Sequence, residues 1–237
     1  MRVSVIVNTY NEDPKVLLRA IDSYRKQCQQ IIVSTVEGDS SLSYLHNVQF
    51  AVLPKSEHVG KSPKGSFQQI NNALPLLDCD YFCWASGNDF AEPHKVKTEI
   101  NALIASKKQI CYSAFNVIRA NRLRVQLFKP YDVQEHLVNN FVSDCSMINK
   151  RMIDKYGPFD LERNNMAFWD FWLRVYENEG NVFEYNPIPT WNYMYNEGDM
   201  SKVRRKSPEA IALNLNDRKL MLQHHEGIIR KMAAGHN

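Results

Sequence analysis

Apolar and polar residues alternate along the first half of the chain in blocks that predict the strands and helices of an α/β protein. Residues 2–8 form a continuous β-branched run, which is typical of a strand buried on both faces. From Pro14 the apolar residues follow helical spacing, and proline suits the first helical position. Further buried strands are predicted at residues 31–36 and 48–53, and a second helix at 66–77.

Residues 79–93 hold the strand around which we expect the domain to be organised. This apolar, aromatic run stops at Ser86-Gly87-Asn88-Asp89, and a second polar break at Pro93 opens a helical pattern. Open α/β sheets bind ligands at the carboxyl ends of their strands, so Asn88 and Asp89 are candidate ligand-binding residues. Their oxygens suit a hard divalent cation that holds a phosphate. Because these residue types also favour turns, a plain turn is the alternative interpretation.

The order of these segments predicts the fold class. The first 106 residues read strand, helix, strand, strand, helix, strand, helix, which indicates a mostly parallel sheet with right-handed crossovers. No GxGxxG follows the first strand and no GxxxxGK[ST] occurs, so dinucleotide and P-loop sites lose their main support. At 237 residues with 44% hydrophobic residues, the chain can form one large α/β core.

Composition narrows the choice of partners and compartment. The net charge of +3 is too small to indicate a nucleic-acid partner. The five cysteines show no CxxC pair and no zinc-like spacing, which favours reduced thiols and a cytoplasmic protein. The first apolar run is too short for a signal peptide, and no run approaches the ~20 apolar residues of a membrane span. We therefore expect any membrane contact to be peripheral.

Three segments of the first half resemble the nucleotide-sugar-binding half of family-two, GT-A fold glycosyltransferases. They read VSVIVNTYNE, IIVSTVEGDSS and YFCWASGNDFAEP, and Asp89 and Pro93 keep the spacing of the family's metal motif. Residues 145–180 resemble the acceptor-side block of the family. The matching residues there are Gly157, Phe159, Asp160, Trp172, Leu173 and Arg174.

This resemblance covers about residues 2–203 and implies a fold and a domain plan. The implied fold is GT-A, with a Rossmann-like, mostly parallel central sheet and helices on both faces. Residues 1–206 would form one domain, with a nucleotide-sugar-binding half (1–106) and an acceptor-side half (107–206). Residues 207–237 would form a helical appendage.

The resemblance also implies a donor site with a divalent metal, Mn or Mg. The implied nucleotide-sugar-binding residues are Thr9, Tyr10, Asn11, Glu12, Glu37, Asp39, Lys64, Asn88 and Asp89, and the implied metal ligands are Asp89 and Asn88. The family's Asp-Asp pair falls on Thr35 and Val36, so Glu37 or Asp39 must substitute or the nucleoside is held differently. The metal motif has one carboxylate where two or three are common. The alternative for Lys64, in a lysine-rich loop, is simple solvation.

On the acceptor side the resemblance implies a carboxylate base at the start of the W-L-R helix. The family's Glu-Asp falls on Ala167 and Phe168, so Asp170 is the candidate general base, with a role at the helix dipole as its alternative. The carboxylates held in reserve are Asp144, Asp160 and Glu162. Trp169 and Trp191 are the expected acceptor-binding residues, although Trp169 fits a core position equally well.

The predicted function is that of a metal-assisted, inverting glycosyltransferase. It would move a sugar from a nucleotide-diphosphate sugar to a saccharide, lipid-linked or protein acceptor. Because Thr35-Val36 and Ala167-Phe168 lack the family's acidic residues, the chain could instead be a non-catalytic nucleotide-sugar or glycan binding module of the same fold. A nucleotidyltransferase ranks last, because the loop NTYNEDP has neither glycine nor a basic residue.

The last segment predicts one terminal helix, with Ser207 as N-cap and Pro208 in the first helical position. Its apolar residues alternate with basic ones. This pattern suits docking on the domain, a partner helix, or peripheral contact with an anionic membrane surface.

Overall fold

Two β-sheets carry the fold. The computed structural model describes residues 1–39, 42, 45–59, 63–120, 122–195 and 208–233. We number strands and helices in chain order.

The larger sheet has seven strands and is mostly parallel, as predicted. Its strands are β1 (Val3–Asn8), β2 (Gln30–Val36), β3 (Gln49–Leu53), β4 (Tyr81–Ser86), β6 (Ile110–Ser113), β9 (Met147–Asn149) and β10 (Phe183–Asn186). Their order across the sheet is β10-β6-β9-β4-β1-β2-β3. Strand β9 runs antiparallel to both of its neighbours, and the other pairs are parallel. The carboxyl ends of β1 to β4 therefore share one edge.

Helices cover both faces of this sheet, which confirms the predicted fold class. Helices α1 (Pro14–Arg25) and α3 (Lys95–Ser106) pack on one face, and α2 (Pro63–Ala73) and α6 (Ala167–Glu179) pack on the other. Successive strand residues point to opposite faces, and because both faces are covered, all six residues of β1 are buried and four of them are Val or Ile. The remaining elements are α4 (Val133–Val138), α5 (Lys150–Tyr156) and two 3-10 helices (Leu74–Leu76 and Leu161–Met166).

The second sheet was not predicted as such. It has the order β5-β11-β7-β8, with β5 (Phe90–Ala91), β7 (Phe115–Arg119), β8 (Arg122–Gln126) and β11 (Trp191–Met194). Strand β5 has two residues, and most of β8 is exposed. Neither strand can show a clear burial pattern in the sequence.

The predicted terminal helix is broken into two. Helix α7 spans Pro208–His224 and α8 spans Glu226–Ala233, with the break at His225. Met221 and Ile228 pack on Trp169 and Leu173 of α6, so the two helices dock on the domain. The predicted N-cap, Ser207, lies outside the described residues.

A buried ion pair joins the two sheets. Lys95 and Glu99 of α3 are both 0% exposed, and Lys95 Nζ lies 2.8 Å from Glu99 Oε1. Lys95 also donates to the backbone oxygen of Cys145, at 2.8 Å. Glu99 Oε1 accepts from Ser113 at the end of β6 (2.8 Å) and from Thr190 just before β11 (2.7 Å). Although burial opposes the charged form, Glu99 keeps the pKa of Lys95 above its ordinary value.

Replacing Lys95 by Met should reduce the free energy of unfolding by about 3–5 kcal/mol, because it leaves the Glu99 carboxylate buried without its cation. Urea denaturation would measure the loss. Lys97→Met, at an exposed position of the same helix, is the matched control and should change stability by less than about 0.5 kcal/mol. A Lys95→Met protein as stable as this control would show that the pair does not hold the sheets together.

Candidate active site

The loops that follow β1 and β4 touch at the carboxyl edge of the sheet. The strands pair up to Asn8 and Ser86, and Gly87 N donates to Asn8 O at 2.8 Å. A Cβ atom on Gly87 would lie 3.1 Å from Asn8 O and 3.2 Å from Thr9 Cβ. Glycine is therefore the residue that lets the two loops approach this closely. Thr9 is thereby brought to the loop of the predicted metal motif.

The first loop also meets the end of β2, as the resemblance implies for a nucleoside site. Asp39 is buried, and its Oδ2 accepts from Thr35 Oγ1 (2.8 Å) and from Asn11 N (3.2 Å). Asn11 takes a left-handed conformation at φ 53°, which asparagine tolerates better than most residues. The Tyr10 ring contacts the His58 ring, with centroids 4.8 Å apart. Asp39 thus shapes the loop that presents an aromatic face.

The other predicted donor residues lie around this loop with different degrees of exposure. Glu12 is half-buried, and Glu37 is exposed with its Oε2 3.4 Å from Lys55 N. Lys64, in the first turn of α2, places its Nζ 3.0 Å from Glu162 Oε1. That ion pair links α2 to the 3-10 helix before α6.

Asp89 sits between the two sheets. Its side chain is buried, and its Oδ1 accepts from Met194 N of β11 at 2.9 Å. Asn88 is half-buried beside it, and its backbone oxygen lies 3.4 Å from Arg19 Nη2. Burial, and after it the charge of Asp89, raises the pKa of the Cys145 thiol, which places Asp89 close to the loop before β9.

That loop contributes Asp144, which the sequence analysis holds only in reserve. Strand β9 runs antiparallel to β4, so the residues before β9 lie beside the carboxyl end of β4. Asp144 is open to solvent, yet the surrounding protein removes enough of its hydration to raise its pKa to about 7. A carboxyl group with this pKa suits proton transfer near neutral pH.

Four buried polar atoms at this edge have no hydrogen-bond partner among the described residues. They are Asn8 Oδ1, Thr9 Oγ1, Trp84 Nε1 and Ser143 Oγ. Buried polar atoms are normally satisfied, because leaving one without a partner costs its desolvation energy. Their grouping around the ends of β1, β4 and the loop before β9 is what a binding site for a polar ligand would show.

Asp170, the predicted base, lies elsewhere. It is 1% exposed, and its oxygens lie 2.8 Å from Arg174 Nε and 3.2 Å from His225 Nε2. Burial alone would raise its pKa, but the hydrogen bond from His225 and the charge of Arg174 lower it below its ordinary value. A base must reach the acceptor hydroxyl, and a buried carboxylate held by Arg174 and His225 does not. In this structure Asp170 anchors the C-terminal helices.

The two predicted acceptor tryptophans differ. Trp169 is a core residue, because it is 5% exposed, packs against α7 and α8, and donates from Nε1 to His136 O at 2.8 Å. This position corrects the prediction that Trp169 contacts the acceptor. Trp191 is stacked on Phe115, with ring centroids 4.3 Å apart, in the second sheet. Its acceptor contact stays a prediction.

Several known proteins are similar to this chain in sequence, although no family model matches it. An uncharacterized glycosyltransferase of Rickettsia prowazekii is 23% identical over 198 residues, which cover 78% of this chain and 62% of that protein. One of Rickettsia bellii is 23% identical over 225 residues, covering 89% of this chain and 32% of that protein. The chain thus spans less than two thirds of the length of these relatives.

Solved structures of S. aureus TarS match the fold. The structure of its residues 1–349 with UDP-GlcNAc superimposes with a TM-score of 0.64 at 15% identity, over 92% of this chain and 66% of that one. The structure with UDP gives 0.63 at 15% identity, over 95% and 70%. The chain has the fold of TarS. In sequence it is similar to proteins named glycosyltransferases.

The acidic groups at this edge could hold a metal only together with a ligand. Among the described residues, the one group of three His, Cys, Asp or Glu side chains close enough to share an ion is Asp170, His224 and His225. Arg174 already neutralises Asp170, which disfavours a cation there. At the predicted site, Asp89 and Asn88 offer hard oxygen donors, and the remaining donors would have to come from a diphosphate.

Within the described part of the chain, no helix is long and apolar enough to cross a membrane.

Asp170→Asn should lower the free energy of unfolding by about 3–5 kcal/mol, because it leaves the partly buried Arg174 without its carboxylate. Since the pKa of Asp170 is lowered by folding, its stabilisation is present above the ordinary pKa of an aspartate and disappears as pH falls through the lowered value. The stability gap between the wild type and Asp170→Asn should therefore close in acid. Denaturant unfolding at neutral and acidic pH would measure it.

Asp144→Asn is the matched control for this measurement. Its environment disfavours the charged carboxylate, so loss of the charge should cost less than about 0.5 kcal/mol. Equal stability of the two variants would contradict an anchoring role for Asp170.

Proposed function

We propose that the chain transfers a sugar from a nucleoside-diphosphate sugar to an acceptor hydroxyl with inversion. The observation that carries the proposal is the carboxyl edge of the sheet, where four buried polar atoms without a partner among the described residues belong to the same segments as Asn88, Asp89 and Asp144. Its support from comparison is the shared fold of TarS, which has been crystallised with UDP and with UDP-GlcNAc, and the similarity to proteins named glycosyltransferases.

In this proposal the nucleoside lies on the loop between β1 and α1. The Tyr10 ring would stack on the base, and Asp39 would keep Asn11 and the rest of the loop in place. Thr9 Oγ1 and Asn8 Oδ1 would hydrogen-bond the donor. The diphosphate would reach the loop of Asn88 and Asp89, next to Lys64 at the start of α2. Release of Lys64 from Glu162 would let it pair with a phosphate.

A divalent cation, Mn or Mg, would neutralise the leaving diphosphate when bound. Asp89 would hold it with one carboxylate, and the Asn88 amide oxygen would assist. This donor set is small, so the affinity for metal should depend on the nucleotide.

The proton-transfer step needs one carboxylate on the acceptor side, and we assign it to Asp144. The acceptor oxygen attacks the anomeric carbon, its proton passes to the Asp144 carboxylate, and the bond from that carbon to the diphosphate oxygen breaks. Attack opposite the leaving group inverts the anomeric configuration. Asp144 is exposed and directly follows Ser143, whose buried hydroxyl has no partner among the described residues, whereas Asp170 is buried against Arg174.

The acceptor would be bound on the second sheet, with Trp191 and its stacking partner Phe115 as the aromatic contact. The stacked pair lies one strand away from β5, which directly follows Asp89. A saccharide acceptor fits such an aromatic face. Peripheral membrane contact through the C-terminal helices remains a prediction.

One observation favours the alternative, a non-catalytic binding module of the same fold. Ala167 and Phe168, which replace the family's Glu-Asp, are 0% and 5% exposed and lie in the aromatic core. The Phe168 ring packs on Trp84 and Phe67, with centroids 5.3 Å and 5.0 Å away. A module of this kind would bind the donor without turning it over, and the variants of Asp144 below would leave its biological activity intact.

UDP-GlcNAc with Mn²⁺ should raise the melting temperature, because a ligand at 100 times its Kd stabilises the native state by about 2.7 kcal/mol. Asp89→Asn should remove the Mn²⁺-dependent part of the shift, since it weakens the hard ligand while keeping the contact with Met194 N. Asp154→Asn, on the exposed face of α5, is the control and should shift like the wild type. Absence of a shift with UDP, GDP and dTDP sugars alike would contradict a donor site.

Donor hydrolysis or transfer should rise with pH through about 7, because Asp144 acts as a base only when deprotonated. Asp144→Asn should lower kcat about 100-fold or more and remove this pH dependence, while the donor-induced melting shift is retained. Activity profiles from pH 5.5 to 8.5 would show both effects. A pH profile unchanged in Asp144→Asn would return the assignment to Asp170 or the other reserve carboxylates.

A further inference from the structure

The β7–β8 hairpin presents a row of exposed apolar side chains at the edge of the second sheet. Leu123, Val125 and Leu127 are 63%, 40% and 59% exposed, and Val138 at the end of α4 is 64% exposed. Strand β8 is the outer strand, so its free edge faces solvent. We call these four residues, with Arg119, Arg122, Arg124 and Lys129, the hairpin surface.

The strands of the hairpin carry basic and no acidic side chains, although Lys129 after β8 is paired with Glu135 of α4 (2.8 Å) and Arg119 lies over the Tyr195 ring. Between Glu99 and Asp132 the sequence has no Asp or Glu and six Lys or Arg residues. Four of those six lie on the hairpin surface. Because side chains alternate along a strand, Leu123, Val125 and Leu127 share one face of β8, and Arg122 and Arg124 lie on the other. Long basic side chains can reach around such an edge with their charged heads.

The hairpin surface continues onto the C-terminal helices. An open groove of about 680 Å³ lies between the end of β8 and α4, and Leu127, Phe128 and Val138 line it. Arg218 of α7 donates to Val138 O at 2.6 Å, so α7 adjoins this groove. More than half of the exposed large apolar side chains of the described residues lie on the hairpin surface, α7 and α8. Isolated exposed apolar residues are ordinary, but a continuous group of them marks an interaction site.

A second copy of the chain is a poor partner for this edge. If β8 paired antiparallel with its copy around residue 123 or 124, arginines would stand directly opposite arginines. Like charges in that position destabilise a sheet. Charged residues on an edge strand are also the usual protection against such pairing. A partner that accepts both the arginines and the leucines must be anionic outside and apolar inside.

We propose that the hairpin surface docks on an anionic phospholipid bilayer. The leucines would enter the boundary between headgroups and acyl chains, and the exposed Arg122 and Arg124 would pair with phosphate groups. Docking itself is independent of the proposed function. If that function holds, it carries a consequence for the acceptor: β7 pairs with β11, whose Met194 N binds Asp89, so the site would open beside the membrane and favour a lipid-linked acceptor.

Vesicle sedimentation of the whole chain tests the proposal. Vesicles of phosphatidylcholine with one quarter phosphatidylglycerol should bind the protein at least tenfold more tightly than pure phosphatidylcholine. Arg122→Gln/Arg124→Gln should weaken that binding about 30-fold, since each basic residue near the surface is worth about 1 kcal/mol. Leu123→Ser/Leu127→Ser should weaken it about tenfold or more, because less apolar area is buried.

The control is Lys26→Gln/Lys107→Gln, which removes two exposed charges that follow α1 and α3 at the opposite edge of the sheet. It should bind vesicles like the wild type, and all variants should melt at the wild-type temperature. Equal binding to neutral and anionic vesicles, or none to either, would overturn the proposal. So would full vesicle binding by the serine variant, which would show that the leucines do not enter the bilayer. A dimer in light scattering that the serine variant dissociates would assign the surface to a second copy.

The donor experiment remains separate from this one. Vesicle binding does not involve Asn88, Asp89 or Asp144, so loss of donor binding in Asp89→Asn should leave sedimentation unchanged. A protein that binds lipid but no nucleotide sugar would keep the docking surface and lose the proposed activity.

Discussion

The buried ion pair between Lys95 and Glu99 is the constraint on which the arrangement of the site depends. Glu99 accepts from the end of β6 in one sheet and from the residue before β11 in the other, and Lys95 holds the backbone at Cys145. Two charges in the interior are tolerable only because each is paired and hydrogen-bonded. The same contacts therefore fix the position of the second sheet and of the loop that carries Asp144. The site is assembled where these parts meet.

At the carboxyl edge of the sheet, close approach of two loops positions the candidate site residues. Gly87 lets the loop after β4 lie against the loop after β1, and Asp39 ties that first loop to the end of β2. Rigid strands thus present Thr9, Asn88 and Asp89 together. Four buried polar atoms there have no partner among the described residues, which is what a preformed binding site for a polar ligand would show.

Asp144 and Asp170 show how environment divides roles between two like residues. Both are aspartates of the acceptor half. Arg174 and His225 hold Asp170 in its charged form inside the protein, where it fastens α7 and α8. Asp144 is exposed, and desolvation by the surrounding protein raises its pKa to about 7. A carboxylate with a lowered pKa and buried partners is suited to a structural role. A carboxylate with a pKa near neutrality and access to solvent is suited to act as a base.

The sequence by itself determined the parallel sheet and its helices, because strands buried on both faces appear as mostly apolar runs. It also determined the polar residues that follow β1 and β4, because a polar cluster marks the end of each strand. Thr9 and Asp89 were predicted in this way, and their part in a site stays a prediction. Only the tertiary structure decided the second sheet, the burial of Trp169 and Asp170, and the place of Asp144. The apolar spacing of α6 showed that it is a helix, but not that α7 and α8 cover its side at Trp169. Asp144 reaches the site because β9 inserts antiparallel beside β4, and pairing between strands 60 residues apart leaves no local trace in the sequence.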